Sequence, residues 1–142
     1  MTGVQTCALP ISLHAVIAAV PSGFLVHNLL LLNEFPDIEA DRVADRKTLP
    51  ITMGGRAAAI FYTVFTIMVY VWIVVAVIFK VMPIFTLLAL LTLPPAVKAI
   101  LGSFRYKERD RLIPAMAANV LVVLLTQVLI GAGYVLSGLC RV

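Results

Sequence analysis

Long apolar runs separated by short polar stretches set the pattern of this chain. Four runs, at about residues 13–32, 57–79, 83–101 and 114–136, are each long enough to cross about 30 Å of hydrocarbon as an α-helix. The polar stretch between the first two runs, residues 33–56, is called the charged loop below. The pattern predicts an all-α, polytopic membrane helical bundle with four transmembrane helices.

Prolines predict irregularities within these spans. The tripeptide Pro-Ser-Gly at 21–23 interrupts the first span, and the Pro94-Pro95 pair is expected to bend or break the third. The reason is that proline has no N–H for the helical hydrogen bond. Pro114 is well placed to begin the fourth helix, because the first turn needs no such donor.

Composition supports a membrane protein and excludes other classes. Of the 142 residues, 62% are hydrophobic and 13% are charged, which is more apolar surface than a soluble domain of this size needs. The net charge of +4 does not indicate nucleic-acid binding, because basic patches interleaved with aromatic residues are absent. Cys7 and Cys140 lie in no motif, so they predict neither a disulfide framework nor a metal site.

Basic residues are concentrated in two loops separated by two spans. The charged loop contains Arg42, Arg46, Lys47 and Arg56, and the second basic loop (residues 103–112) contains Arg105, Lys107, Arg109 and Arg111. The other connections contain only Lys80 and Arg141. Because cytoplasmic loops carry an excess of Lys and Arg, both basic loops are predicted to be cytoplasmic. The second basic loop either anchors the protein against acidic lipid headgroups, which we favour, or reaches an anionic substrate.

The candidate chemistry is in the charged loop, where Asp37, Asp41 and Asp45 are spaced four residues apart. If this segment is helical, the three carboxylates share one face, and Arg42 and Arg46 share an adjacent one. Like charges at this spacing destabilise a helix. Mg²⁺ bridging the carboxylates and a diphosphate beside the arginines would relieve both repulsions, since Mg²⁺ binds carboxylates together with phosphate oxygens.

The alternative interpretation is a solvated, charge-mixed loop in which Glu39 and Arg42 pair at i, i+3. The spacing by itself favours neither interpretation.

Polar residues inside the spans are expected to face the bundle interior. Asn119 and Gln127 are eight residues apart on one face of the fourth span, and we predict that they hydrogen-bond to neighbouring helices. Asn28 lies about two turns before Glu34, so it is a candidate for lining a site at the charged loop. The adjacent His27 is more typical of a structural hydrogen-bonding residue than of a base.

The sequence HNLLLLNEFPDIEADRVADRKTL at residues 27–49 resembles the second aspartate-rich motif of the UbiA-type intramembrane prenyltransferases. Its Asp-x3-Asp-x3-Asp core and Lys-Thr-Leu ending are most similar to the menaquinone-type branch, and the strong similarity covers about residues 22–56. Members of the family are nine-helix bundles with two such motifs on the cytoplasmic side. The resemblance implies that the four spans correspond to the last four helices and that residues 13–142 form the C-terminal half of the domain, in a prokaryotic inner or plasma membrane.

The resemblance also implies roles for individual residues. The activity would be Mg²⁺-dependent transfer of a polyprenyl group from a polyprenyl diphosphate to an aromatic acceptor of the quinone-precursor type. The implied magnesium ligands and catalytic residues are Asp37, Asp41 and Asp45. The implied substrate-binding residues are Lys47, Arg46 and Arg42 for the diphosphate, with Asn28 and Asn33 orienting the acceptor or the carboxylates.

The family's first motif, Asn-Asp-x2-Asp-x3-Asp, does not occur in this sequence. We therefore expect that the N-terminal half of the domain is missing and that this polypeptide is inactive alone. Residues 1–12 match, one for one, the translation of a common sequencing-adapter strand, and we expect them to be an artefact of a truncated gene. Two alternatives are a non-catalytic membrane protein, whose charged loop sets topology or docks a partner, and a short protein that completes its site with another chain.

Overall fold

A computed structural model describes residues 13–140, so the expectation for residues 1–12 lies outside the described residues. This part of the chain is helical and contains no β-strand. The helices, in chain order, are α1 (Leu13–Asn33), α2 (Ile38–Val43), α3 (Leu49–Thr52), α4 (Gly55–Ile78), a 3₁₀ helix (Ile84–Thr92), α5 (Leu93–Ser103) and α6 (Arg109–Cys140).

Four segments are long and apolar enough to cross a membrane: Leu13–Asn33, Gly55–Ile78, Ile84–Ser103 and Arg109–Cys140. The third combines the 3₁₀ helix with α5. The predicted all-α bundle with four spans is confirmed. Along the outward faces, large apolar side chains are exposed, as expected for surfaces that contact lipid.

Two of the three proline predictions need correction. Helix α1 continues through Pro21, so the first span is not interrupted. Helix α6 begins at Arg109 and contains Pro114, because the carbonyl of Glu108 already accepts the N–H groups of Arg111 and Leu112, at 2.9 and 3.0 Å. The break in the third span is where it was predicted, since the change from 3₁₀ to α geometry at Leu93 immediately precedes the proline pair.

Small residues let the helices approach closely, which is the usual way in which membrane helices pack. Gly102 of α5 lies against Ala115 of α6, where an added Cβ would overlap with the alanine methyl. Gly133 of α6 lies against the 3₁₀ helix, where an added Cβ would be 2.6 Å from the backbone nitrogen of Thr86. These contacts join α6 to the whole third span.

Polar side chains join α6 to the other two spans. The Tyr62 hydroxyl of α4 donates to the Asn119 side-chain oxygen at 2.9 Å, and the Ser22 hydroxyl of α1 donates to the Gln127 side-chain oxygen at 2.6 Å. The prediction that Asn119 and Gln127 hydrogen-bond to neighbouring helices is confirmed.

Candidate functional site

The charged loop and the second basic loop meet at one end of the bundle. The rings of Phe35 and Tyr106 have centroids 5.4 Å apart. The Tyr106 ring also packs over Gly55, since a Cβ there would lie 2.5 Å from Tyr106 Cζ. The two loops are therefore on the same side of the four spans, as the count of crossings predicted.

The three aspartates do not lie on one continuous helix, so the condition under which all three would share one face is not met. Asp37 is the N-cap of α2, Asp41 lies within it, and Asp45 follows it with a φ of 52°. The Asp45 N–H donates to the Arg42 carbonyl at 3.3 Å, and the Arg46 N–H donates to the Asp41 carbonyl at 2.9 Å. This is a Schellman ending, which needs a left-handed residue, and aspartate tolerates that conformation better than most residues.

Asp41 is the buried carboxylate of the charged loop, with 8% of its surface exposed. Its Oδ1 accepts a hydrogen bond from Arg46 Nη1 at 3.1 Å, which offsets part of the cost of burying the charge. Glu39 and Arg42 form a second pair at 3.6 Å, as the charge-mixed alternative predicted. Both of those side chains are mostly exposed, so that pair contributes little stability.

Asp37, Asp45 and Lys47 are exposed and form no ion pair within residues 13–140. Asn33 is exposed at the end of α1. In the described part of the chain, no three His, Cys, Asp or Glu side chains are grouped so that they could hold a metal ion. The structure therefore does not bring the carboxylates of Asp37, Asp41 and Asp45 together around one position.

A cleft of about 440 Å³ between the two loops contains residues that the sequence analysis did not assign to the site. The charged loop contributes Asp37 and Glu39, and the second basic loop contributes Tyr106, Lys107 and Arg109. The cleft thus has acidic residues from one loop and basic residues from the other. The count of basic residues predicted that the two loops lie on the same side of the membrane, but it could not predict the distance between them.

Glu34 is another residue that the sequence analysis did not assign to the site. Its Oε2 accepts a hydrogen bond from the backbone N–H of Leu49 at 3.1 Å, at the start of α3. Thr48, the N-cap of that short helix, makes no side-chain capping bond. Glu34 therefore ties the two ends of the segment that contains α2, and no sequence spacing signals a cap from fifteen residues away.

Asn28 lies between α1 and α4 and is not among the residues that line the cleft. It is 1% exposed, and its Nδ2 donates to the Tyr62 carbonyl at 3.0 Å and to Thr66 Oγ1 at 2.8 Å. Neighbouring His27 packs against the Phe65 ring with centroids 4.7 Å apart. These contacts give Asn28 a role in holding α1 against α4.

Comparison with known proteins agrees with this architecture. The profile of the UbiA prenyltransferase family matches residues 1–126, most of the chain. The chain belongs to the UbiA prenyltransferase family. This UbiA-family chain is 28% identical over 109 residues to the 1,4-dihydroxy-2-naphthoate octaprenyltransferase of Bacillus subtilis (strain 168).

The aligned region covers 77% of the UbiA-family chain but 35% of that relative, so the chain spans about a third of the relative's length. No solved structure matches the chain. The resemblance found in the sequence is thus confirmed at the level of the family, and the chain is an integral membrane protein.

Proposed function

We propose that this chain forms part of the active site of a membrane prenyltransferase, which transfers a polyprenyl group from a polyprenyl diphosphate to an aromatic acceptor of the quinone-precursor class. One observation carries the proposal: the cleft that Asp37 and Glu39 of one loop and Lys107 and Arg109 of the other line together. A diphosphate needs cations around its oxygens, and a metal that accompanies it needs carboxylates. The relative named for 1,4-dihydroxy-2-naphthoate supports that acceptor class.

The carboxylates of Asp37 and Asp41 are suitable magnesium ligands. Asp37 is exposed and caps no backbone group with its side chain, so its oxygens are available. Asp41, four residues further along the chain, is buried and accepts one hydrogen bond from Arg46. When bound, Mg²⁺ would supply positive charge that stabilises the departing diphosphate. Asp45, in the turn that ends α2, is the third carboxylate that the family motif implies, but in the described residues it is not grouped with the other two.

Basic residues on both loops would bind the diphosphate. Arg46 is bound to Asp41 through one nitrogen, and 71% of its side chain is exposed, so a guanidinium group that bridges to a phosphate is feasible. Lys47 and Arg42 lie on the same loop, while Lys107 and Arg109 approach from the second basic loop. Positive charge placed in advance around a leaving anion stabilises it without reorganisation during the reaction.

The acceptor would bind near the end of α1. Asn33 is exposed there, so its amide could bind an acceptor hydroxyl or the carboxylates. Asn28 would act indirectly, by holding α1 in place against α4.

The test is prenyl transfer by protein expressed from the complete coding sequence, with a polyprenyl diphosphate and 1,4-dihydroxy-2-naphthoate as the first acceptor. We expect Asp37→Asn, which removes a carboxylate that lines the cleft, to lower Mg²⁺-dependent turnover by at least about a hundredfold, a typical loss when one charge-stabilising group is removed. Membrane insertion should be unchanged. The control is Glu108→Gln, which removes an exposed carboxylate of the second basic loop outside the cleft.

Equal turnover in the Asp37→Asn and Glu108→Gln variants would contradict the site assignment. If the unsubstituted protein shows no transfer, the charged loop is better explained as a topology or docking element. The Glu39–Arg42 pair is the observation that favours this second candidate function.

A further inference from the structure

A second groove, separate from the cleft, lies between α5 and α6 near the same end of the bundle. Its volume is about 650 Å³, and its charged lining consists of Lys98, Arg105, Arg111 and Asp110. Three cations and one carboxylate give the groove a net charge of +2. Within residues 13–140, none of the three cations forms an ion pair. The groove therefore offers positive charge that no side chain of the described chain neutralises.

The rest of the groove is lined by apolar residues. Val97 and Leu101 line it and are 51% and 63% exposed. Gly102 forms its floor, where the close contact with Ala115 leaves no room for another side chain. A ligand that fits this surface has an anionic head and an apolar tail.

The depth of Lys98 is independent support for such a ligand. It lies inside the third candidate span, five residues before the end at Ser103, which corresponds to about 7 Å along a helix. A lysine at this depth is costly unless its ammonium reaches the interface or meets an anion. Lys98 is exposed on the outer surface, so its chain can extend towards the headgroup layer beside Arg105 and Arg111.

We infer that this groove binds an anionic phospholipid, with the phosphate among Lys98, Arg105 and Arg111 and an acyl chain along Val97 and Leu101. Basic pockets between transmembrane helices recognise acidic headgroups through this combination of charge and apolar contact. A free phosphate would use the cations but not the apolar wall. The inference does not depend on the proposed prenyl transfer, because it requires only that the helices span a bilayer and that the groove faces lipid.

Native mass spectrometry of the protein released from vesicles of equal phosphatidylglycerol and phosphatidylcholine tests the inference. We expect retained phosphatidylglycerol to exceed phosphatidylcholine, and Lys98→Gln to lower that preference by roughly fivefold, the contribution expected of one basic residue at an anionic surface. Lys98→Arg should keep the preference. The matched control is Lys80→Gln, which removes the same charge from an exposed turn at the other end of α4.

Three results would each overturn the inference. The first is equal retention of the two lipids by the unsubstituted protein. The second is an equal effect of Lys98→Gln and Lys80→Gln, which would reflect net charge and not the groove. The third is displacement of bound phosphatidylglycerol by inorganic phosphate, which would show that the groove selects a free anion.

Discussion

At the scale of single residues, three aspartates with identical spacing occupy different environments. Asp37 occupies the N-cap position of α2 without a side-chain capping bond, Asp41 is buried against Arg46, and Asp45 is in the left-handed conformation that ends the helix. The spacing would place all three on one face of a continuous helix, yet the Schellman ending removes the third from the helix. The proposed ligands therefore differ in the energy needed to bind a cation, since Asp41 must exchange its contact with Arg46, whereas Asp37 forms no ion pair within residues 13–140.

At the residue scale, we predict how replacing Asn28 changes the stability of the protein. Asn28→Ala removes two hydrogen bonds to α4, and we expect it to lower the free energy of unfolding by about 1 kcal/mol, as for other interhelical bonds in membranes. Thermal unfolding in detergent micelles, followed by circular dichroism, measures the change. Asn33→Ala is the control, because Asn33 is exposed and should affect stability by only a few tenths of a kcal/mol. Equal losses in both variants would contradict the packing role.

At the scale of helices, backbone contacts decide which glycines are required. Gly131 and Gly133 are two residues apart in α6, and the chain sequence makes no distinction between them. Gly133 meets the backbone of the 3₁₀ helix, whereas nothing lies within 4 Å of the position of a Cβ on Gly131. The third span depends on that contact, because its 3₁₀ segment packs extensively along α6.

These two glycines provide a matched pair of variants. In Gly133→Ala the new methyl would lie 2.6 Å from the Thr86 nitrogen, and since backbone cannot move aside cheaply we expect a loss of about 1–3 kcal/mol. Gly131→Ala should be neutral or should stabilise by up to about 1 kcal/mol, because alanine favours the helix. The midpoint of thermal unfolding distinguishes them. A Gly131→Ala variant as unstable as Gly133→Ala would mean that this packing does not occur.

At the scale of the whole molecule, the arrangement of spans brings all the proposed chemistry to one end. The Phe35–Tyr106 contact joins loops that are separated by two membrane crossings. The cleft exists because of that contact, since neither loop contains both of its walls. The turn containing Lys80 lies at the opposite end, where the chain passes from α4 into the 3₁₀ helix.

At the scale of the whole molecule, we predict the orientation of the protein in the membrane. We expect single cysteines replacing Glu108 and Lys80 to lie on opposite faces of the membrane, in a background with Cys7 and Cys140 changed to serine. A membrane-impermeant maleimide added to intact cells should label the Lys80 position and not the Glu108 position, because the basic loops are predicted to be cytoplasmic. Labelling of both positions after lysis is the control. Labelling of the Glu108 position in intact cells would contradict the predicted orientation.

The sequence by itself determined the class, the four spans, the shared side of the two basic loops and the family motif around Asp37, Asp41 and Asp45. These follow from hydropathy, charge and residue spacing, which are properties of short stretches of chain. Only the tertiary structure decided that Lys107 and Arg109 lie across a cleft from Asp37, that Glu34 caps α3 and that Asn28 serves packing. Each depends on the distance between segments far apart in the chain, and helix packing sets that distance.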